Sequence, residues 1–552
     1  MSKQHRVVGS AWQSWTLAAA VCLAAAAAAP GQQQPSGSQP KPSQTSGQEK
    51  TTHITPEQAK ELFALVDDLI KFSSQETGLP IKSTVKRQMT TRTAVESYLK
   101  EKFNDDEGAK RLQKGEIVLK KFGLLDRDFD LKPFLLELLK EQIEAYYDSK
   151  TKTVNMLDWI DIDEQKPVLA HELTHALQDQ HVDLEKWSDQ TPEDVSLNSL
   201  EDTRHLAKDE MDTAREAVVE GQATAVMMDY VLKPMGKSLV KDPEVMDFVK
   251  HQMSASGSSP VLARAPLLLS ESLLFPYSEG LSFEQDVWMD QGQAAAFTGT
   301  LDRPPTSTWE IENPRAYERE QVPAVPLLPD IHPLVDKLYK PYDIGQIGQL
   351  DLHILAELFG GEAAADDLTP AWDGGLYWAG QRRSATTPAE QASTKSLALF
   401  YLSVWKNAAS AESFAQLYAN SLGRKYSGLK PDLESQHSTP TDLPPGSTEQ
   451  VYSTSEGPVV ITTSGNLVFV AESFDLDLAR KLASLILNAQ GVGELKMAGA
   501  ARPAGRSGRL DASDVVRSGG ETLEPLTANL IRFFADCGVM KAAVDAGVQS
   551  AR

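Results

Sequence analysis

Two cysteines in 552 residues are too few for a disulfide-stapled fold. One of them, Cys22, lies in an N-terminal apolar run. Once that run is removed only Cys537 remains, and one thiol makes no internal bridge. Positive charge is also short: 54 Lys and Arg stand against 77 Asp and Glu, a formal charge of −23. A surface of that sign repels phosphates, which argues against nucleic acid as a partner. Beyond the first 29 residues no segment supplies the roughly 18 apolar residues of a membrane-spanning helix. The nearest approach, residues 261–275, is interrupted by Arg264, Ser270 and Glu271. No internal repeat is visible. What is left is ordinary globular composition, 41% apolar and 24% charged. The length allows two or three domains of about 150 residues each.

Residues 1–29 have the build of a secretory signal. Lys3, His5 and Arg6 give a basic start, an apolar run follows from Trp15, and Ala26 to Ala29 offer small residues for cleavage. The expected destination is secreted or periplasmic, with an uncleaved membrane anchor as the alternative. Lipid attachment at Cys22 is a lesser one, because Val21 precedes it where Gly or Ala is wanted. Residues 30–53 are rich in Gln, Ser and Pro, bury too little to fold, and read as a flexible tether.

Thr55-Pro56-Glu57-Gln58 opens a helix, with Thr at the cap and Pro in the first turn. Helical periodicity continues through residues 92–122 and 135–143. Residues 145–148 and 153–157 flank a turn at Ser149 to Lys152, a hairpin signature. Residues 200–231 read as one long helix, ended by Pro234 and Gly236. Proline-rich loops at 304–308 and 323–333 mark a boundary. Beyond it residues 350–358 and 397–417 look helical, 459–462 and 467–470 read as a hairpin around Ser464-Gly465-Asn466, and a helix follows over 476–487. The domain plan is thus a folded domain over 54–320, a C-terminal region over 321–490, and a flexible tail over 491–552 with room for a terminal helix.

One stretch states a chemistry: His171-Glu172-Leu173-Thr174-His175. On a helix, residues four apart lie one above the other, about 6 Å along the axis. Both imidazoles can then chelate one Zn²⁺, while Glu172, about 100° round, is free to take a proton from an attacking water. A catalytic zinc wants three protein ligands and an open position. Glu220 is the preferred third ligand. It lies on a small, mostly apolar helical stripe with Ala217 and Ala223, where a carboxylate needs a counter-charge, and Gly221 and Ala223 let a neighbouring helix approach closely. His181 is the alternative, since His171, His175 and His181 have the spacing of the metzincin motif. That motif ends its helix at a Gly, however, and Gln178 stands there. On an unbroken helix His181 falls about 280° round and roughly 15 Å along from His171. Asp179 and Glu216, one turn from a ligand, could hold ligands in place or be ordinary solvated acids. Tyr277, His251 and His332 are unranked candidates for an oxyanion donor. The strand at 154–157 is expected to form the edge of the cleft, with backbone groups open to an extended peptide.

The pentad followed by a helical Glu-Gly-x-Ala resembles the gluzincin arrangement of zinc metallopeptidases. The segments HELTHALQDQH and AVVEGQATAVMMDY are similar to a set of exported, largely uncharacterised bacterial zincin-like proteins, as are Phe275-Pro276-Tyr277 with Gly280 and Pro305-Thr306-Ser307-Thr308 with Glu310. The resemblance, which covers about residues 144–317, implies a mostly helical zincin-like catalytic domain with a small edge sheet; with the smaller C-terminal α/β region read from the patterns beyond it, the expected fold class is α+β. The resemblance also implies a zinc metallopeptidase with His171, His175 and Glu220 as ligands and Glu172 as general base; it does not reach the substrate, for which a peptide or protein is the expectation. Two other readings stay open, a non-catalytic exported binding or scaffold module and a zinc hydrolase of non-peptide bonds. Glu172 favours an enzyme, because a structural zinc needs no base.

Overall fold

Thr55 caps the first helix, α1 (Pro56–Thr77), through a reciprocal pair of hydrogen bonds: its hydroxyl accepts the Gln58 N–H, and the Gln58 side chain accepts the Thr55 N–H at 2.9 Å. The computed structural model describes residues 54–490, apart from 106, 189–197, 207, 244, 247–248, 250–258 and 437–441, together with residue 530. The expected signal, tether and tail lie outside the described residues, Leu530 excepted, and so does His251.

The helical reading of 92–122 resolves into α2 (Arg92–Asp105) and α3 (Glu107–Phe122), followed by α4 (Leu131–Gln142). Between and after them runs a three-stranded sheet of β1 (Lys86–Thr90), β2 (Ala145–Asp148) and β3 (Thr153–Leu157), in the order β1-β3-β2. The β2–β3 hairpin forms as expected. Asp148 accepts the N–H groups of Lys150 and Thr151, and Lys152 takes a left-handed φ of 56° to close the turn. One expectation fails here. β3 is the central strand, parallel to β1 and antiparallel to β2, so both of its edges are paired and the outer strands of the sheet are β1 and β2. The cause is β1, whose sequence Lys-Arg-Gln-Met-Thr carries too little apolar alternation to announce a strand.

α5 (Ile162–Val182) carries the pentad and is buried almost continuously from Gln165 to Asp179, the signature of a helix enclosed on all sides. The single helix expected over 200–231 is two, α7 (Ser199–Leu206) and α8 (Met211–Leu232), after the short α6 (Leu184–Ser188). The break falls at Asp209 and Glu210. Their buried carboxylates accept N–H groups from outside the helix, Asp209 from Gln346 at 2.5 Å and Glu210 from Thr308 at 3.1 Å. α9 (Leu267–Gln291) then packs across α8. A Cβ on Gly221 would lie 2.3 Å from Gly280 backbone, so the two backbones touch, as the small residues of α8 suggested.

The C-terminal region holds a seven-stranded antiparallel sheet of β4 (Tyr339–Gln346), β5 (Trp372–Arg382), β6 (Leu397–Trp405), β7 (Lys430–Pro431), β8 (Thr448–Thr454), β9 (Gly457–Ser464) and β10 (Leu467–Glu472). Its order is β4-β5-β6-β10-β9-β8-β7. α10 (Gln349–Gly360), α11 (Ala408–Lys425) and α12 (Leu476–Ala489) complete it. Residues 397–417 are therefore strand then helix. Leu397 to Trp405 is apolar at nearly every position because β6 is buried on both faces, and such a run has no period to separate it from a buried helix.

The two faces of β6 go to different cores. Leu399 and Tyr401 join α11 and Phe122 of α3, whereas Phe400 and Leu402 join Leu482 and Ile486 of α12. The first core runs unbroken from α1 into the C-terminal sheet. The whole is a mixed α+β fold, mostly helical. No helix among the described residues is long and apolar enough to cross a membrane.

Candidate metal centre

α5 and α8 lie side by side, and three side chains converge where they meet. His171 Nε2 stands 3.0 Å from Glu220 Oε2, and His175 Nε2 stands 3.5 Å from the same oxygen. The imidazole rings are edge to face, 4.5 Å between centroids. All three donor atoms lie within 4.8 Å of one another, and these residues could hold a metal ion. Among the described residues no other group of His, Cys, Asp or Glu does so. Two imidazoles and one carboxylate are donors of the kind that hold a divalent transition metal.

Burial sets the electrostatics. It drives the charged form of His171 down to a pKa of about 4, helped by the charge on His175. At His175 burial pulls the same way, but the Glu220 carboxylate outweighs it and lifts the pKa to about 9. Glu220 itself is held at about 2, because the two imidazoles more than offset its desolvation. Glu172, only 1% exposed, is pushed by burial to about 7 against the pull of His175. A cation held in the cluster would lower that value. The backbone of Tyr147, on the outer strand β2, adds a smaller lowering influence.

The other candidates separate cleanly. His181 sits in the last turn of α5 with its Nε2 2.9 Å from Asp302, outside the cluster, because α5 runs on through Gln178 to Val182. Met228, which resembles part of a Met-turn in sequence, is buried inside α8. Asp179 is neither solvated nor set against an imidazole. It accepts the Tyr147 hydroxyl at 2.8 Å and forms an ion pair with Lys152 at 2.7 Å, which holds the β2–β3 hairpin on α5. Glu216 is buried one turn before Glu220. Tyr277 comes to the site, its ring 6.2 Å from that of His171, carried there by the close crossing of α8 and α9. His332 does not: it pairs with Asp202 and Asp336, each at 3.1 Å.

Sequence reasoning missed Gln178 as a partner of the site. Its Oε1 lies 2.9 Å from His175 Nδ1. The signal was present, since a residue three after His175 shares its helical face. No family model, curated protein or solved structure matches this chain. The chemistry of the site therefore has to be argued from its own residues.

Proposed function

We propose that this protein is an exported, zinc-dependent metallopeptidase of gluzincin type, hydrolysing peptide bonds with Glu172 as general base. The observation that carries the reading is the convergence of His171, His175 and Glu220 on one point, with Glu172 one residue from a ligand and outside the chelate. Zinc held by those three residues would supply Lewis acidity and bring the pKa of a water to about 7. Glu172 takes the proton of the attacking water and returns it to the leaving amine nitrogen. Tyr277 is the candidate donor to the oxyanion. β2, an outer strand of the small sheet, would offer backbone groups to an extended peptide. Export rests on the composition of residues 1–29, and sequencing the mature N-terminus tests it: a start near residues 29–32 is expected, and an intact Met1 contradicts it.

One observation favours a second reading. His171, Glu172 and Glu220 are all buried, as a structural metal site in a non-catalytic module would be. Metal analysis together with cleavage of a generic unfolded protein separates the two. The peptidase reading expects about one zinc per chain, loss of zinc in Glu220→Ala, retention in His181→Ala, and cleavage that stops on chelation. Zinc retained in Glu220→Ala and lost in His181→Ala would move the third ligand to His181. Stoichiometric zinc without cleavage across a broad substrate set would favour the module.

A further inference from the structure

Gln178 of α5 and Gln222 of α8 are both fully buried, and their amide groups form a chain that starts at a proposed metal ligand. The Gln178 NH₂ group donates to the Val219 carbonyl at 3.0 Å and to Gln222 Oε1 at 2.9 Å. The Gln222 NH₂ group in turn faces the Ala296 and Phe297 carbonyls, at 3.0 and 2.9 Å, and Thr300 Oγ1 at 2.8 Å. Ala296 and Phe297 lie in a π-helical turn, Ala295–Gly299, that follows α9. Thr300 closes the chain against Glu284 of α9, a buried acid whose pKa burial raises well above the ordinary value.

The directions of the bonds made by the two glutamine amides are forced. A peptide carbonyl can only accept, so the nitrogen of Gln222 must face Ala296 and Phe297, and its oxygen must face Gln178. The same rule at Val219 turns the nitrogen of Gln178 away from His175 and leaves its oxygen toward the ring. An amide oxygen also only accepts. His175 Nδ1 must therefore carry a hydrogen, and in the neutral ring the lone pair is left on Nε2, the nitrogen that faces Glu220. We infer that Gln178 is a positioning residue that fixes the tautomer of His175, and that Gln222 holds Gln178 in the one orientation able to do so. Val219 and Gln222 flank Glu220 in sequence, so the same bonds tie the third ligand's helix to α5.

The inference rests on the zinc site proposed above, and its test is built to fail separately. Zinc-loaded full-length wild type, Gln178→Leu and Gln178→Glu are challenged with excess chelator, and the rate of zinc loss is read beside the melting temperature. Outer partners of metal-binding histidines are worth about 10- to 100-fold in affinity. Gln178→Leu removes the acceptor and is expected to lose zinc faster by about that factor. Gln178→Glu keeps an oxygen that accepts the His175 Nδ1–H in either protonation state, while giving up the N–H donors to Val219 and Gln222. It should hold zinc close to the wild-type rate even if its melting temperature falls. Zinc loss from the Glu variant as fast as from the Leu variant would make Gln178 merely structural and overturn the inference. Equal rates in wild type and Gln178→Leu would overturn it too and leave the zinc site standing. Failure of the wild type to take up zinc would remove both.

Discussion

Gly221 of α8 and Gly280 of α9 share a contact that leaves no space for a methyl group on either side. A Cβ built on Gly280 falls 2.1 Å from the Ala217 carbonyl oxygen, and one on Gly221 falls 2.3 Å from the Gly280 backbone. Backbone atoms cannot swing aside as a flexible side chain can. Gly280→Ala must therefore push α9 away from α8 and move Tyr277 from His171. Overpacking of this kind costs about 1–3 kcal/mol, occasionally more. Denaturant titration should show at least that loss for Gly280→Ala, and a change below about 0.5 kcal/mol would mean the helices are not so close.

The seam between α8 and β4 makes a prediction about pH. Asp343 is buried on β4, and burial raises its pKa to about 8, with the Asp209 charge adding to it and the Tyr377 hydroxyl at 2.9 Å opposing. A carboxyl whose folded pKa is raised binds its proton more tightly in the folded state. Its contribution is therefore complete below the unfolded value, about 4, and is lost as pH rises toward 8. The stability of wild type relative to Asp343→Asn, which cannot ionise, should accordingly fall between pH 5 and 8, by up to about 1.4 kcal/mol per pH unit. Unfolding titrations of both proteins at several pH values check this. A difference that is flat or rises with pH contradicts it.

Lys425 and Glu472 form an ion pair at 2.5 Å in which both side chains are almost wholly buried. Tyr418 also donates to Glu472, at 2.6 Å. Glu472→Gln strands the Lys425 ammonium and should cost about 3–5 kcal/mol; replacing both partners with apolar groups should cost less, the remainder coming from the buried Tyr418 and Tyr426 hydroxyls that then lose their Glu472 acceptor. Urea unfolding of Glu472→Gln and of the double variant Glu472→Leu with Lys425→Met separates the two effects. If the double variant is as unstable as the single one, the cost is not that of an orphaned charge.

Much of this was written in local residue patterns. The Thr55 cap, the turn at Ser149 to Lys152, the pentad helix and the close approach at Gly221 are all short-range consequences of residue type. The misreadings share a cause in partners distant along the chain. The edge of the small sheet depended on β1, more than 60 residues before β3, and on a strand with little apolar alternation. The break before α8 depended on Thr308 and Gln346, whose N–H groups draw Glu210 and Asp209 out of a helical pattern. β6 looked helical because two-sided burial erases the period that would have named it. At the site, Glu220 was legible as a carboxylate that apolar neighbours could not tolerate alone. Gln178 was legible only as a neighbour on the His175 face of the helix; its role follows from which way its amide faces, and Val219 and Gln222 decide that.

The central claim is that Glu172 moves the proton in a metal-dependent hydrolysis, and Glu172→Gln tests it most directly. The substitution keeps the size of the side chain and its hydrogen-bonding reach but removes the group that takes the proton. Peptidase activity and zinc content are measured together on the variant, the wild type and a metal-stripped sample. The account predicts unchanged zinc, an intact fold, and a rate lower by about 10²–10⁴, with no activity after stripping. Equal activity in wild type and Glu172→Gln would contradict it.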